Sequence, residues 1–301
     1  MHRRQFLASL AASPLLAAKP WNLDRISVIT DEVSASPEEA IAFAHKYGLK
    51  WVELRGVPSP QAYRHYELLS PAELSRAARQ LREAGLKVSF FNASGIKTAI
   101  PGAEPLRIPK TPGWREAAQR NFDGRMDNLR VAIAAAQTFG VDKIRVFTFA
   151  RVAEPEKLFP RLADILGEMG ELAQKEGVKL LIENEASCNV GTCAEMAGLI
   201  KLLPEKTFGL NWDANNGQSS QEKPFPDGYN LLPKHRIDNV HMHGRTLLDP
   251  EKKLDWPAIF AALDRDGYTG RAGLETHYFD GTKIEKSHLC LEQLRAITSP
   301  S

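Results

Sequence analysis

One motif, repeated along the chain, and eight short apolar runs predict an α/β chain folded as a (β/α)8 TIM barrel. The motif is a helix ending at glycine: Tyr47-Gly48-Leu49-Lys50, Ala84-Gly85-Leu86-Lys87, Phe139-Gly140-Val141-Asp142 and Glu176-Gly177-Val178-Lys179, with Asp266-Gly267-Tyr268 before Ala272-Gly273-Leu274 as a looser fifth. Glycine enters the left-handed C′ conformation without a Cβ clash, and each phrase leads at once into a β-favouring run. Alternating helices and strands imply parallel pairing through right-handed crossovers, and eight such units close into a barrel better than they spread. No Gly-rich phosphate fingerprint follows the first run, which argues against a dinucleotide-binding open sheet.

In chain order, residues 1–18 stand outside the fold. Arg3-Arg4 lead into Phe6-Leu7-Ala8 and on to Leu15-Leu16-Ala17-Ala18, a signal-peptide layout whose apolar stretch is too short to span a bilayer. The arginine pair resembles a twin-arginine export motif, so residues 19–301 are expected as an exported, periplasmic barrel domain with no stable membrane span after processing. Cleavage near Ala18 places Leu16 where a small residue is preferred, so an uncleaved N-terminal anchor is the alternative to processing.

Strands are expected at Ile26 to Thr30, Trp51 to Leu54, Lys87 to Phe91, Lys143 to Phe147, Lys179 to Glu183, Phe208 to Asp213, Asp238 to His241 and Ala272 to Glu275. Helix starts agree with this frame. Ser36-Pro37-Glu38-Glu39 and Ser70-Pro71-Ala72-Glu73 each offer an N-cap, a proline at the first helical position and acids at the positive helix end, and Thr192-Cys193-Ala194-Glu195 fits a capping box. Residues 92–113 and 217–233 are too irregular for full helices and are expected as long loops, either plain surface insertions or covers for a substrate.

The 301 residues carry 39 basic and 37 acidic side chains, a formal net charge of +2 with no polybasic footprint for nucleic acid. Hydrophobic residues at 43% provide for a sizeable core. Cys188, Cys193 and Cys290 form no metal-type pair and read as structural. The composition carries no signal for oligomeric state.

Five of the predicted strands end in side chains that apolar packing alone does not select: Glu53, Glu183, Asp213, His241 and Glu275. Barrel topology gathers those ends onto one rim, where ligands bind. Carboxylates crowded there repel and are costly to bury, and a divalent cation removes the difficulty. Two Glu, one Asp and one His suit Mn, Mg, Co or Zn, and the lack of a thiolate favours an open, catalytic coordination sphere. The plainer readings are rim salt bridges of Glu183 and Glu275 with Arg55 or Arg145, and Asp213 capping the following turn.

Leu181-Ile182-Glu183-Asn184, Asn211-Trp212-Asp213, Val240-His241 and Gly273-Leu274-Glu275-Thr276 resemble, in order and spacing, the fifth to eighth strand motifs of the xylose-isomerase-like family, and Thr30-Asp31-Glu32-Val33-Ser34 and Val52-Glu53-Leu54-Arg55-Gly56 resemble its sugar isomerase/epimerase-like branch. That resemblance implies one divalent metal ion held by Glu183, Asp213, His241 and Glu275, with Glu183 and Glu275 also moving protons at substrate carbons. His243, two residues after His241, faces the same side of its strand, so either imidazole can reach the metal; the family often places Lys at the position of His243. Glu53, Arg55, Asn184, Asn215, His243 and Arg245 are the candidates for contacting a small sugar, with Glu185, Trp212 and His277 behind them. The implied function is isomerisation or epimerisation of a keto or aldo sugar through an enediolate. A lyase or hydrolase acting on 3-keto-glycosides at the same site is the alternative, and a non-catalytic sugar-binding protein is the alternative of another class. A metal phosphodiesterase needs further histidine ligands that the sequence does not show.

Overall fold

The computed structural model describes residues 21–59 and 63–298; the export segment lies outside them. Eight parallel strands close in sequence order: β1 (Ile26–Ile29), β2 (Trp51–Leu54), β3 (Lys87–Phe91), β4 (Lys143–Val146), β5 (Lys179–Glu183), β6 (Phe208–Asp213), β7 (Ile237–His243) and β8 (Ala272–Glu275). β1 pairs with β8 through Val28 and Leu274, completing the circle. The sequence locates every strand, with differences confined to ends. Thr30 opens a one-turn helix instead of extending β1, and β7 runs on to His243 because that residue pairs with Glu275 of β8.

The longer helices among the described residues are α1 (Pro37–Lys46), α2 (Pro71–Glu83), α3 (Trp114–Asp123), α4 (Arg125–Thr138), α5 (Phe159–Lys175), α6 (Cys193–Ile200), α7 (Trp256–Arg265) and α8 (Lys283–Thr298). The predicted caps hold them. Ser36 Oγ accepts from Glu39 N at the start of α1, and both Ser70/Glu73 and Thr192/Glu195 form reciprocal capping boxes. All five motif glycines have positive φ, between 66° at Gly48 and 79° at Gly267, the left-handed geometry that their helix-ending role requires. No helix among the described residues is long and apolar enough to cross a membrane. The three cysteines are buried free thiols.

Two register shifts bear on the site. Val52 pairs with Val88 but Glu53 with Phe90, and Leu210 pairs with Ile237 but Asn211 with Asn239. The extra residues are Ser89 in β3 and Asp238 in β7; the second sets Asn239 opposite Asn211, and Glu53, Asn211 and Asn239 share one buried polar network. Residues 92–113 contain no strand or helix, and the 217–233 segment holds the end of the short helix Ala214–Ser219, a π-helical turn at Pro224–Gly228 and a single helical turn at Tyr229–Leu231. The former is nonetheless stitched to the loop after β4, where Phe149 N donates to Ile96 O at 3.1 Å and Ala150 N to Thr98 O at 2.8 Å, and that loop is joined in turn to the one after β5, where Arg151 N donates to Ser187 O at 2.9 Å.

Candidate metal-binding active site

The site is built on a fully enclosed carboxylate. Ser27 Oγ donates to Glu53 Oε1 at 2.9 Å, Asn239 Nδ2 to the same oxygen at 3.3 Å, and Asn92 Nδ2 to Oε2 at 2.9 Å, while His241 Nε2 lies 2.9 Å from Oε2. Gly273 makes the room: a Cβ there would stand 2.1 Å from Glu53 Oε1. With Nε2 turned to Glu53, His241 presents Nδ1 to Glu183 Oε2 at 3.4 Å and Glu275 Oε2 at 3.6 Å. This is the arrangement in which an outer carboxylate fixes the tautomer of a ligating imidazole. Burial alone pushes the His241 imidazole down, but Glu53 and Glu183 outweigh it and hold its pKa well above the ordinary value.

Each of the other three donors is oriented by a partner. Asp213 Oδ1 accepts from Asn216 N at 2.8 Å, capping the short helix Ala214–Ser219, while its Oδ2 is buried without a hydrogen-bond partner. Glu183 Oε2 accepts from Asn211 Nδ2 at 2.6 Å and lies 3.3 Å from Arg145 Nη1. Glu275 Oε1 accepts from Arg55 Nη1 at 2.5 Å, and Arg55 also pairs with Asp31 at 2.8 Å and with Glu32. Burial raises both glutamates' pKa values, but the arginines prevail, holding Glu183 at about 2 and Glu275 well below the carboxylate range. Thus the turn-capping and salt-bridge roles coexist with a shared, inward-facing donor cluster.

One ligand atom from each of Glu183, Asp213, His241 and Glu275 lies within 4.8 Å of all the others, and all four residues are buried. Ligands about 2.0–2.2 Å from one ion stand at most about 4.4 Å apart across it, so small side-chain shifts suffice. The unpartnered Asp213 Oδ2, the oxygen-rich donor set and the oriented imidazole all fit a hard or borderline divalent cation. His243 joins the cluster as well. Its Nδ1 faces Asn215 Nδ2 at 3.0 Å and its Nε2 lies 2.7 Å from Asp213 Oδ2, an approach without hydrogen-bond geometry. Burial lowers its pKa but Asp213 overcomes this, raising it to about 9.

Above the donors is a cavity of about 270 Å³, near the small end of ligand pockets, whose lining includes Arg55, Arg145, Glu183, His243, Glu275 and His277. Several expected substrate contacts lie outside the lining of this cavity. Glu53 lies beneath the cavity, its oxygens taken by the floor network. Asn184 is equally enclosed, its amide bonded to both Asp213 N and Asp213 O to fix the end of β6. Asn215 stands behind His243, Arg245 lies 5.5 Å from the Tyr278 ring outside the cavity lining, and Trp212 is core, 5.1 Å from Tyr229. Arg55 and His243 do face the cavity, as do Glu185 and His277. The sequence reading misses Tyr63, His65, Ser94 and Lys97, which come from loops whose paths the strand pattern does not fix, and Phe147, which directly follows β4. Arg145 carried a signal, a charged side chain between Ile144 and Val146 inside a strand.

A family model described as "Xylose isomerase-like TIM barrel" matches residues 41–294. Among solved structures, a xylose isomerase-like TIM barrel protein from Mycobacterium smegmatis in complex with magnesium is 16% identical, with 91% of this chain and 98% of that chain covered and a TM-score of 0.61. The apo 3-keto-D-glucoside 4-epimerase from E. coli is 15% identical over 90% of this chain and 99% of that one, with a TM-score of 0.64. D-psicose 3-epimerase, solved in the presence of D-fructose, is 17% identical over 91% and 96%, with a TM-score of 0.62. No curated protein matches the sequence at a significant level. At these identities the structural likeness speaks for the fold.

Proposed function

The chain belongs to the xylose isomerase-like TIM barrel family, and from that premise we propose that it is a divalent-metal-dependent isomerase or epimerase of a keto or aldo sugar or sugar derivative. The observation that carries this reading is the convergence of Glu183, Asp213, His241 and Glu275 within 4.8 Å beneath a sugar-sized cavity. Those four residues would hold the ion, which when bound would supply Lewis-acid polarisation of substrate oxygens.

The remaining work falls to the chain. Glu183 and Glu275, each kept ionised by its own arginine, stand on different strands facing one cavity. One carboxylate oxygen takes the proton from the carbon beside the substrate carbonyl; the C–H electron pair becomes the new C=C bond, and the carbonyl oxygen takes up the negative charge. Return of a proton to the other face of that carbon gives the epimer; return to the former carbonyl carbon, with the hydroxyl proton of the deprotonated carbon passing to the other oxygen, gives the isomer. Positioned acid–base groups contribute about 10² to 10⁴ in rate.

The test is turnover of free ketoses in deuterated water with the metal-loaded protein. The expected result is deuterium on the reacting carbon, with exchange falling sharply in Glu275→Gln while a neutral oxygen ligand remains. Rapid product formation without label, and normal turnover by Glu275→Gln, would overturn the two-glutamate assignment. Elimination products from a 3-keto-glycoside with no epimer would replace the isomerase reading by the lyase one. Metal-dependent sugar binding without any product would leave a binding protein.

A further inference from the structure

The barrel wall is most sparsely bonded between β3 and β4. Among the described residues these strands pair only at Phe91 and Ile144, whereas β4 and β5 stay in register from Lys143 opposite Lys179 to Val146 opposite Ile182. Arg145 bridges the seam just past that single pairing. Its Nε donates to Ala93 O at 3.3 Å and its Nη2 to Asn92 O at 3.4 Å, while its Nη1 lies 3.3 Å from Glu183 Oε2. Arg145 thus lines the cavity above the metal donors and also a different cavity of about 190 Å³, bounded by the first half of α4.

The walls of this α4 cavity are largely apolar, from Leu68, Leu129, Val131, Ala132, Ile144 and Val146. Glu67 is the lining residue that points to a ligand. It is 7% exposed, and its Oε1 accepts from Ser94 N at 2.9 Å and from Ser94 Oγ at 2.7 Å, but its Oε2 is buried without a hydrogen-bond partner. A carboxylate oxygen in that condition is costly until a donor reaches it, and a charged donor compensates it best. The two arginines of the lining are engaged with other carboxylates, Arg125 with Glu168 and Arg145 with Glu183. Arg125 Nε is also without a partner, which makes a small anion the competing occupant. An apolar cavity of about 150 Å³ holds benzene, so about 190 Å³ suits a six-membered ring with a one-carbon arm.

We propose that the α4 cavity is a second ligand site, for a small primary amine on a compact apolar body, with its ammonium group on Glu67 and its body against Leu129, Val131 and Ile144. The site is coupled to the metal donors through Arg145, which belongs to both cavities, so its occupant changes the affinity of the Glu183 cluster for a divalent ion. The ligand class does not depend on the sugar chemistry proposed above; the coupling rests on the metal-site part of that reading.

The test is a ligand-observed NMR titration of the metal-free full chain near neutral pH with benzylamine, against benzyl alcohol, benzoate and methylamine. Benzylamine is expected to bind about tenfold or more tighter than each of the three. Glu67→Gln keeps an acceptor for Ser94 but puts an NH2 group in place of Oε2, and should weaken benzylamine by about tenfold or more. Ala132→Leu, which fills the cavity from α4, should weaken it as well, with circular dichroism checking the fold of both variants. For the coupling, Mn(II) affinity is measured by chelator competition with and without saturating benzylamine. A shift of about threefold or more is expected in the wild type and none in Glu67→Gln, and by reciprocity Mg(II) should shift benzylamine affinity in the wild type. Equal or tighter binding of benzoate or benzyl alcohol, or benzylamine binding unchanged in both variants, overturns the site. Benzylamine binding that follows the variants while Mn(II) affinity stays constant overturns the coupling and upholds the site. Absence of Mn(II) binding with or without the amine would sink the metal-site reading, and with it the coupling, while the benzylamine titration still decides the site.

Discussion

Glu53→Gln removes one charge from the floor of the site while keeping the side chain's size, at a position that is 0% exposed. Four donors converge on that carboxylate, from Ser27 and Asn239 on one oxygen and from Asn92 and His241 on the other. A glutamine amide has a single acceptor oxygen, so one of those pairs must face an NH2 group. If the NH2 stands at His241, the imidazole loses the acceptor that keeps its proton on Nε2, and its Nδ1 is no longer presented as a lone pair to the metal. If it stands at Ser27 and Asn239, the hydroxyl turns but the Asn239 amide, already donating to Asn211 Oδ1 at 3.0 Å, has nowhere to go. Loss of an outer carboxylate on a ligating histidine typically costs about 10- to 100-fold in metal affinity, which is roughly 1.4 to 2.7 kcal/mol. A buried hydrogen bond to a charged group, worth about 1.5–3 kcal/mol, gives the same scale. The assay is competition for Mn(II) against a chromogenic chelator near neutral pH, with circular dichroism to confirm the fold. Gly273→Ala should produce a similar loss by a different route, since its methyl group cannot coexist with the present position of the Glu53 carboxylate. Wild-type affinity in Glu53→Gln would falsify the view that His241 is oriented from below.

Elemental analysis should find one divalent ion per chain in protein purified without chelator, and chelation should lower the unfolding temperature; at a free-ion concentration of 100 times Kd, the bound ion adds about 2.7 kcal/mol of stability. Metal-free protein should lose stability on the alkaline side. The folded-state pKa of His243 is raised from 6.5 to about 9, so its contribution is fully present below the unfolded value and is lost as pH climbs through about 9. The loss is at most roughly 3 kcal/mol, seen as a falling unfolding temperature between about pH 7 and 10 that the metal-loaded protein does not share; parallel curves for the two forms would contradict it. For the export segment we propose twin-arginine transport of the folded chain. Replacing Arg3-Arg4 by Lys-Lys should strand it in the cytoplasm on fractionation, and unchanged periplasmic recovery would point to another route.

The architecture was legible because its signals are local. A glycine forced to positive φ at a helix end, a Ser-Pro-Glu helix start and a β-branched run each declare themselves within a few residues, and the barrel follows from their order. The clustering of Glu183, Asp213, His241 and Glu275 was legible for a related reason, since topology alone brings strand ends together. Position on a strand does not by itself give a side chain's partners. Glu53 is held beneath the cavity by Ser27, Asn92, Asn239 and His241, which come from other segments that counting along β2 does not show. Asn184 follows a ligand in sequence but spends its amide on the neighbouring strand's backbone. Lys97 and Tyr63 reach the cavity from loops, where no periodicity constrains the path.

The backbone bonds that join the loops after β3, β4 and β5 have a meaning for how this scaffold diversifies. In a barrel of this kind, each strand-to-helix loop is ordinarily a separate module, free to be lengthened or exchanged without disturbing its neighbours. Here Ile96, Thr98, Phe149, Ala150, Arg151 and Ser187 share carbonyls and amides across three such modules. A graft of one loop alone strips its partners of hydrogen bonds, so a new specificity on this side of the mouth has to arrive as a linked set of three segments. The loop after β6 is tied to the segment after β5 as well, through Glu222 accepting from Cys193 N, whereas the loop after β7 takes no part in these bonds, which makes it the easier place for single insertions to be tried and kept.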